Sequence, residues 1–270
     1  MRAAVSYLFA PGHRAEWFVK ASESGADMVV LDLEDAVDAR DKAMARAAIA
    51  DWLTGRGADR TRSMVRVNDA ASRFFAEDLA LVAGLGAVAV MLPKVEQAAD
   101  VAALARVLAP GSAIVPMIES ALGLRAVEAI AGADLVQRLA FGTWDFGVDV
   151  HLSGDPLGLM MPSAAIALAS RCAGIAPPIA GVTTAIGDEA AIRRDCAFAR
   201  AFGFTAKLCI HPAQIGPVHA GFAPSAAEIE WAQRVVGAVT DGAAVQVDGA
   251  MVDRPVLLRA RAILGHDRAQ

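Results

Sequence analysis

The sequence predicts an α/β fold, a single (β/α)8 TIM barrel with a C-terminal helical extension or lid. Short β-branched runs alternate with alanine-rich stretches along the chain, a pattern typical of βα units around a parallel sheet. Roughly eight such runs are present, and 270 residues are enough for one barrel and a surplus. We therefore expect a catalytic barrel over residues 1–222 and an extension over residues 223–270.

Each predicted strand is a short apolar run that ends at charged or turn-forming residues. With 56% hydrophobic residues, the chain has enough apolar material to bury these runs on both faces. The predicted runs are Tyr7–Phe9, Met28–Leu33, Ser63–Val67, Ala87–Leu92, Ala113–Ile118, Leu135–Phe141, Ile179–Thr183 and Ala206–Ile210.

Helical spacing of apolar residues fills the segments between the runs, so one face of each helix is expected to contact the sheet. The predicted core-facing stripes are Val37, Met44, Ala48 and Trp52 in the second unit and Ile192, Cys196 and Ala199 in the seventh.

The extension contains two further predicted helices. Ser225 and Glu228 have the spacing of a capping box, which predicts a helix over residues 225–238. A glycine-rich stretch over 241–249 leads to a last helix over 255–264, which begins with a proline at a tolerated position.

The charge balance and composition exclude several classes of function. The 25 Lys and Arg residues against 30 Asp and Glu residues give a net charge of −5, so we expect no nucleic-acid partner. The longest uncharged stretches are too short and too rich in proline to cross a membrane, and no secretory signal is visible. Three cysteines without CxxC spacing predict neither a disulfide framework nor a zinc site. We expect a reduced cytoplasmic protein that acts on a small molecule.

Polar side chains follow most of the predicted strands. Because the carboxyl ends of the strands meet at one rim of a barrel, we expect these side chains to lie together. They are His13 and Arg14, Asp32, Glu34 and Asp35, Arg66 and Asn68, Lys94 and Glu96, Glu119, Thr143 and Asp145, Thr183 and Thr184, and His211 and Gln214.

Several carboxylates on one rim raise one another's pKa unless a cation compensates them. Oxygen ligands favour Mg²⁺, and Glu119 and Asp145 follow adjacent strands, so they are the candidate metal ligands. The alternative is that either residue caps a helix or pairs with an arginine such as Arg125.

Arg66 lies between apolar neighbours at a strand end, where a guanidinium is costly unless it meets an anion. It either clamps a substrate carboxylate or enolate, or forms an internal ion pair with Glu34 or Asp35, and the two interpretations are compatible. Asp32 and Asp35 are expected to orient Arg66 or Lys94. His211 is a structural histidine or a base, and Trp144 is a pocket wall or a core or interface residue.

The ordered strand-end motifs resemble those of the citrate lyase beta subunit-like CoA ester lyases, within the HpcH/HpaI aldolase/citrate lyase superfamily. The resemblance covers about residues 5 to 264. The motifs that carry it are 8-LFAPG-12, 31-LDLEDAV-37, 65-VRVN-68, 92-LPKVE-96, 118-IESA-121, 141-FGTWDF-146, 207-KLCIHPAQI-215 and, in the tail, 248-DGAMVDRP-255.

This resemblance implies a TIM barrel that requires Mg²⁺, with Mn²⁺ as a possible substitute, and that forms a homo-oligomer, a trimer or a hexamer. It implies cleavage or formation of a C–C bond between an acyl-CoA thioester and a 2-oxo acid. Glu119 and Asp145 would hold the metal and bind substrate, Arg66 would contact substrate during catalysis, and Gly142 and Thr143 would approach its carboxylate. Asp253 would serve as an acid or base that reaches a neighbouring subunit's site. Supporting roles are assigned to Glu34, Asp35 and Lys94.

Three positions depart from the family pattern. Trp144 stands where a glutamate is common, and Ala180 and Ala185 stand where acidic residues are common. These departures leave the metal ligands unchanged, but they leave the identity of the substrate open.

The leading hypothesis is a lyase for malyl-, citramalyl- or citryl-CoA-like thioesters. Three alternatives remain at this stage: a thioesterase that uses the same metal site, a metal-dependent aldolase without CoA, and a non-catalytic or partner-dependent subunit of a citrate lyase-type complex.

Overall fold

The computed structural model describes residues 1–55, 58–239 and 245–265. The chain divides into two compact units, Met1–Phe222 and Ala223–Gln270. Each unit is described by itself.

The first unit is a barrel whose parallel strands pair in chain order. Strand β1 also pairs with β8, with Leu8 opposite Cys209, so the sheet closes on itself. The predicted (β/α)8 barrel is thereby confirmed. The strands are β1 (Ser6–Pro11), β2 (Met28–Asp32), β3 (Ser63–Arg66), β4 (Ala89–Leu92), β5 (Ala113–Ile118), β6 (Arg138–Phe141), β7 (Ala176–Ala180) and β8 (Ala206–Cys209).

Alternate residues along each strand enter two different apolar layers, which explains why the runs are apolar without a break. On β2, Met28 and Val30 belong to the cluster that fills the barrel interior. Val29 and Leu31 belong to the larger cluster between the sheet and the surrounding helices. All of these side chains are buried.

Helices of the first unit follow the strands and cover the barrel. They are α1 (Glu16–Ser22), α2 (Lys42–Thr54), α3 (Phe75–Gly84), α4 (Ala98–Ala105), α5 (Ala121–Arg125), α6 (Val127–Ala131), α7 (Thr143–Asp149), α8 (Met160–Cys172), α9 (Glu189–Ala201) and α10 (Ile215–Phe222). Short 3-10 turns occupy Ala39–Asp41, Arg60–Arg62, Pro156–Leu159 and Pro212–Gln214.

The predicted core face of α2 is correct in part and is displaced by about one residue around the helix. Ala48 and Trp52 are half-buried and pack against the core, as predicted. Met44 is 55% exposed, whereas Ala45, Ile49 and Leu53 are buried. Val37 is buried too, but it precedes the helix. The face predicted on α9 is confirmed, because Ile192, Cys196 and Ala199 are all buried.

Strand β7 begins three residues earlier than predicted, because Pro177 and Pro178 belong to it. The prolines cannot donate to the ladder, and the register between β6 and β7 shifts where they lie. Their carbonyls still accept hydrogen bonds, Pro177 from the Arg138 side chain and Pro178 from the Thr205 amide at 3.3 Å.

Arg138, the first residue of β6, is a fully buried cation at the amino-terminal end of the barrel. Its guanidinium donates to the carbonyls of Pro177 and of Ala4, the latter at 2.7 Å. It also donates to the hydroxyls of Tyr7 at 3.2 Å and Thr205 at 2.5 Å. Burial lowers the pKa of Arg138.

The second unit packs two helices and a hairpin around a small apolar core. Its elements are α11 (Ala226–Ala238), β9 (Val245–Val247), β10 (Ala250–Val252) and α12 (Arg254–Ile263). The capping box of Ser225 and Glu228 is present, so the first predicted helix is confirmed. The last predicted helix is also present, but it begins at Arg254.

The hairpin of the second unit was not predicted. It occupies the end of the glycine-rich stretch, whose residues 241–244 lie outside the described part of the chain. Asp248 and Gly249 both have positive φ, the conformation that a two-residue hairpin turn requires.

In the described ranges no helix is both long enough and apolar enough to span a bilayer.

Candidate active site

Arg66 is held at the carboxyl end of β3 by two carboxylates. Its Nε and Nη2 donate to Asp32 Oδ1 and Oδ2 at 2.7 and 2.6 Å, a bidentate pair between the last residues of neighbouring strands. Nη1 lies 2.8 Å from Glu34 Oε2. The internal ion pair is therefore present, with Asp32 as the main partner in place of Asp35.

The guanidinium of Arg66 lies in a dry environment. Its carbon Cζ is 4.5 Å from the centre of the Phe9 ring, and Asp32 is fully buried. Burial alone would lower the pKa of Arg66, but the charges of Asp32 and Glu34 outweigh it and raise that pKa overall. Arg66 is therefore a fixed, permanent cation at the rim.

Lys94 contacts carboxylates of the rim through both its backbone and its side chain. Its φ of 49° is unusual for a residue other than glycine. The backbone N–H donates to Glu119 Oε2 at 2.7 Å. The Nζ donates to Glu34 Oε1 at 2.6 Å and lies 3.3 Å from Asp35 Oδ2. The predicted supporting residues Glu34, Asp35 and Lys94 are thus brought together.

Glu119, directly after β5, is a carboxyl group in a nearly dry site, with only 5% of the residue exposed. Burial is the main cause that raises its pKa to about 7, and the charges of Glu34 and Asp145 add to it. The Lys94 amide and Arg66 act in the opposite direction. A cation beside Glu119 would remove the energetic reason for protonation.

Gly142 provides the space into which Glu119 extends. A Cβ at position 142 would lie 2.1 Å from Glu119 Oε1. The Gly142 amide donates to the Ile118 carbonyl at 3.0 Å, so it is used within the barrel. The carboxylate of Glu119 therefore lies against the segment that begins α7.

The first turn of α7 carries Thr143, Trp144 and Asp145. Thr143 packs against Gly181 at the end of β7, where a Cβ would lie 2.4 Å from the Thr143 hydroxyl oxygen. Asp145 is exposed, and its charge acts on Glu119. In the part of the chain that is described, neither Glu119 nor Asp145 forms an ion pair with Arg125 or caps a helix.

Other rim residues have structural partners. The Nδ1 of His211 accepts the Ala213 amide at 3.1 Å and caps the 3-10 turn that follows β8, which supports its structural interpretation. Gln214 receives the Ile210 amide and donates to the Thr183 carbonyl, so it ties the loops after β7 and β8 together.

Asn68 belongs to a network that the sequence did not reveal. Its side-chain oxygen accepts from the buried Lys42 Nζ at 2.7 Å, and its amide donates to Asp78 at 2.6 Å. Asp78 in turn pairs with Arg46 at 3.0 Å. The sequence signal was the spacing of Lys42 and Arg46, four residues apart, which places both cations on one face of α2.

A cavity of 860 Å³ opens beside the α7 turn, at the carboxyl ends of β6 and β7. Thr143 and Trp144 form its border on the side of Asp145, and Ala180 and Gly181 lie at the end of β7. Trp144 lines this cavity, as predicted for a pocket wall, and at 57% exposure it is not a core residue. Its alternative role at an interface stays a prediction.

Asp253 lies in the second unit, where it is the N-cap of α12. Its side chain accepts the Val256 amide at 3.3 Å. Its assignment as an acid or base stays a prediction.

The family model described as HpcH/HpaI aldolase/citrate lyase matches residues 5–212. The chain belongs to this family. The predicted resemblance is therefore confirmed.

Members of the HpcH/HpaI aldolase/citrate lyase family with similar sequences carry different activity names. A citrate lyase subunit beta-like protein of Deinococcus radiodurans is 34% identical, covering 97% of this chain and 96% of its own length. A (3S)-malyl-CoA thioesterase of Cereibacter sphaeroides is also 34% identical, covering 98% of this chain and 94% of its own.

A solved family structure is similar over nearly the whole chain. The protein CitE of Mycobacterium tuberculosis, crystallised with magnesium, acetoacetate and coenzyme A, has a TM-score of 0.87 and 33% identity, and 98% of each chain is covered.

The donor set at the rim of this family member suits a magnesium ion. Within residues 1–55, 58–239 and 245–265, no group of three or more His, Cys, Asp or Glu side chains is arranged to hold a metal. Glu119 and Asp145 offer two carboxylates, the number that Mg²⁺ commonly takes while it keeps water and binds substrate oxygens. The space at Gly142 leaves Glu119 Oε1 facing the Asp145 turn.

Proposed function

We propose that the protein is a Mg²⁺-dependent carbon–carbon lyase that acts on a 3-hydroxyacyl-CoA thioester of the malyl-, citramalyl- or citryl-CoA type. The products are an acyl-CoA and a 2-oxo acid, and condensation is the reverse reaction. The observation that carries this proposal is the buried Glu119 at the rim, whose pKa is raised mainly by burial and further by the charges of Glu34 and Asp145. The metal and coenzyme A bound by the similar CitE structure support it.

Glu119 and Asp145 would hold the metal ion, which supplies Lewis acidity that lowers the pKa of the substrate hydroxyl. Thr143 and the backbone at Gly142 lie beside these carboxylates and border the substrate carboxylate. Gly142 also keeps Glu119 in place, because any larger residue would displace its carboxylate.

Arg66 stabilises the charge that develops when the C–C bond breaks. A guanidinium has five N–H donors. The hydrogen bonds to Asp32 use two of them, and Nη1 forms an ion pair with Glu34. The remaining donors meet the thioester oxygen as it becomes an enolate oxygen, and the fixed position of Arg66 requires no reorganisation at that moment.

The test is a product assay with purified protein, Mg²⁺ and malyl-, citramalyl- and citryl-CoA. We expect a 2-oxo acid and an acyl-CoA. Glu119→Gln should lower kcat/KM by about a thousandfold, as loss of a metal ligand and of its charge implies. The matched control is Glu128→Gln, an exposed glutamate on α6. Activity that survives both EDTA and Glu119→Gln would contradict the metal model.

A thioesterase is the second candidate, because relatives with 34% identity are named (3S)-malyl-CoA thioesterase. It would use the same carboxylates to activate water for attack on the thioester. The same assay separates the two, since a thioesterase releases free CoA and an intact hydroxy acid.

We propose that Asp253 is the acid or base that exchanges the proton of the substrate hydroxyl in the site of a neighbouring subunit. Asparagine is about as good an N-cap as aspartate, so Asp253→Asn should leave the melting temperature within about 1 °C. It should lower kcat by about a hundredfold, the usual contribution of general acid–base catalysis. An unchanged kcat would show that Asp253 only caps α12.

A further inference from the structure

Lys42, the first residue of α2, is a buried cation that takes no part in the proposed reaction as described so far. Its ammonium group has three N–H donors. They meet the carbonyls of Leu33 and Glu34 at 2.6 and 2.9 Å and the side-chain oxygen of Asn68 at 2.7 Å. All three donors are therefore engaged, so none is left to contact a substrate.

The two carbonyls that Lys42 binds belong to the peptide groups on either side of Glu34. The amide of Glu34 is fixed as well, because it donates to Asp32 Oδ1 at 2.9 Å. From this fixed main chain the Glu34 side chain extends to Arg66 Nη1 at 2.8 Å and to Lys94 Nζ at 2.6 Å. Lys42 thus determines the direction in which Glu34 leaves the end of β2.

The contact with Asn68 connects Lys42 to the neighbouring strand. Asn68 lies two residues after Arg66, which ends β3. Its backbone and side-chain amides both donate to Asp78 Oδ2, at 2.8 and 2.6 Å, so Asn68 is anchored independently of Lys42. Lys42 thereby joins the segment that carries Glu34 to the segment that follows Arg66.

We propose that Lys42 is a positioning residue, which fixes Glu34 and thereby holds Arg66 where it meets the developing enolate. The inference rests on the proposed function for the role given to Arg66, and it adds a residue that acts without touching the substrate. Lys42→Met keeps the apolar stem and removes all three donors, which leaves the turn at Glu34 without its attachment to Asn68.

The first test is the steady-state kinetics of Lys42→Met with the CoA thioester that the wild type converts. A misplaced Arg66 affects the transition state more than the bound substrate, so kcat should fall about tenfold or more while KM stays within about twofold. In an Arg66→Lys background the same substitution should change kcat by less than about twofold, because the guanidinium that Lys42 aligns is absent. Equal effects in both backgrounds would overturn the inference.

Arg46→Met is the matched control for a loss of stability. Arg46 lies four residues further along α2 and pairs with Asp78 at 3.0 Å and with Glu77, so it belongs to the same network without contacting the segment of Glu34. We expect its kcat to match that of the wild type. A fall in kcat equal to that of Lys42→Met, with both proteins folded by circular dichroism, would overturn the inference.

A measurement without turnover separates this inference from the proposed function. In a crystal structure of Lys42→Met, the Glu34 carboxylate should move away from Arg66 Nη1 by about 1 Å or more. In Arg46→Met the contact of 2.8 Å should persist. An unchanged contact in Lys42→Met overturns the inference, whatever the activity.

Absence of lyase turnover by the wild type overturns the proposed function alone, and the two crystal structures then still decide whether Lys42 holds Glu34 against Arg66. If Lys42→Met does not fold, Lys42→Gln replaces it in each measurement with the same expected results, because its side chain is shorter and uncharged.

Discussion

The two ends of the barrel each contain a buried strand arginine, and the two are held in opposite ways. Arg66 at the carboxyl end is paired with Asp32 and Glu34, which raise its pKa. Arg138 at the amino end donates to carbonyls and hydroxyls, and burial lowers its pKa. In the residues that the structure describes, no carboxylate pairs with Arg138.

The difference separates a charge that serves structure from one that is prepared for a ligand. At the rim five carboxylates face two cations, a formal charge of −3, among Asp32, Glu34, Asp35, Glu119, Asp145, Arg66 and Lys94. A divalent ion would reduce that charge to −1. At the amino-terminal end of the barrel, neutral oxygens surround Arg138, and its side chain is fully buried.

Of the measurements that compare the two ends of the barrel, the largest effect is expected from replacing each arginine with lysine, which keeps the charge but loses the planar fork. Arg66→Lys should lower kcat/KM by about a hundredfold, because a lysine cannot hold both Asp32 oxygens and still present a donor to the substrate. Arg138→Lys should leave kcat/KM within about twofold, but lower the free energy of unfolding by about 1–3 kcal/mol, because buried acceptors lose their donors. Kinetics and urea unfolding of both variants check this, and a reversed pattern would remove the distinction between the two ends.

A smaller effect is expected from a single methyl group at the rim. Gly142→Ala should weaken Mg²⁺ binding by about tenfold or more, because its Cβ would displace the carboxylate of Glu119. Gly132→Ala is the control, since a Cβ there meets its nearest neighbour at an ordinary 3.5 Å. Isothermal titration with Mg²⁺ measures both, and equal affinities would show that Glu119 is not held by this contact.

The smallest expected effect is a dependence on pH that only the rim shows. With the pKa of Glu119 at about 7, the carboxyl is mostly protonated below that pH and cannot bind a cation. The Kd for Mg²⁺ should therefore rise about tenfold per pH unit below 7 and level off above 8. The difference in melting temperature between wild type and Arg138→Lys should be the same at pH 6 and pH 8, because carbonyl oxygens do not titrate. A Kd for Mg²⁺ that is independent of pH would contradict the interpretation that Glu119 binds the ion and has a raised pKa.

The barrel was predictable because alternation of strands and helices has few other solutions, and seven of the strand runs lie close to their predicted positions. Strand β7 was misplaced because Pro177 and Pro178 are ordinarily strand breakers. They are tolerated where the register with β6 shifts and their carbonyls still find donors. Such compensation depends on tertiary partners, which no local pattern reveals.

The sequence was enough to predict which residues lie together at the rim, because the carboxyl ends of the strands meet there in a barrel. The choice of partners could not be predicted, because Asp32 and Asp35 both precede Arg66 by about thirty residues and sequence distance does not tell which of them lies opposite it. The pairing of β2 with β3 places Asp32 directly opposite Arg66, and Asp35 remains for Lys94. The Asp248-Gly249 turn, by contrast, carried a readable hairpin signal.

The left-handed conformation of Lys94 has a consequence for how this position tolerates change. Lys94 contacts Glu119 through its backbone amide and Glu34 through its ammonium group, so two separate constraints act on this one position. A glycine would adopt the backbone shape without strain and keep the first contact but lose the second. An alanine would lose the second contact and retain the strain. Side-chain scanning therefore sees only half of what Lys94 does.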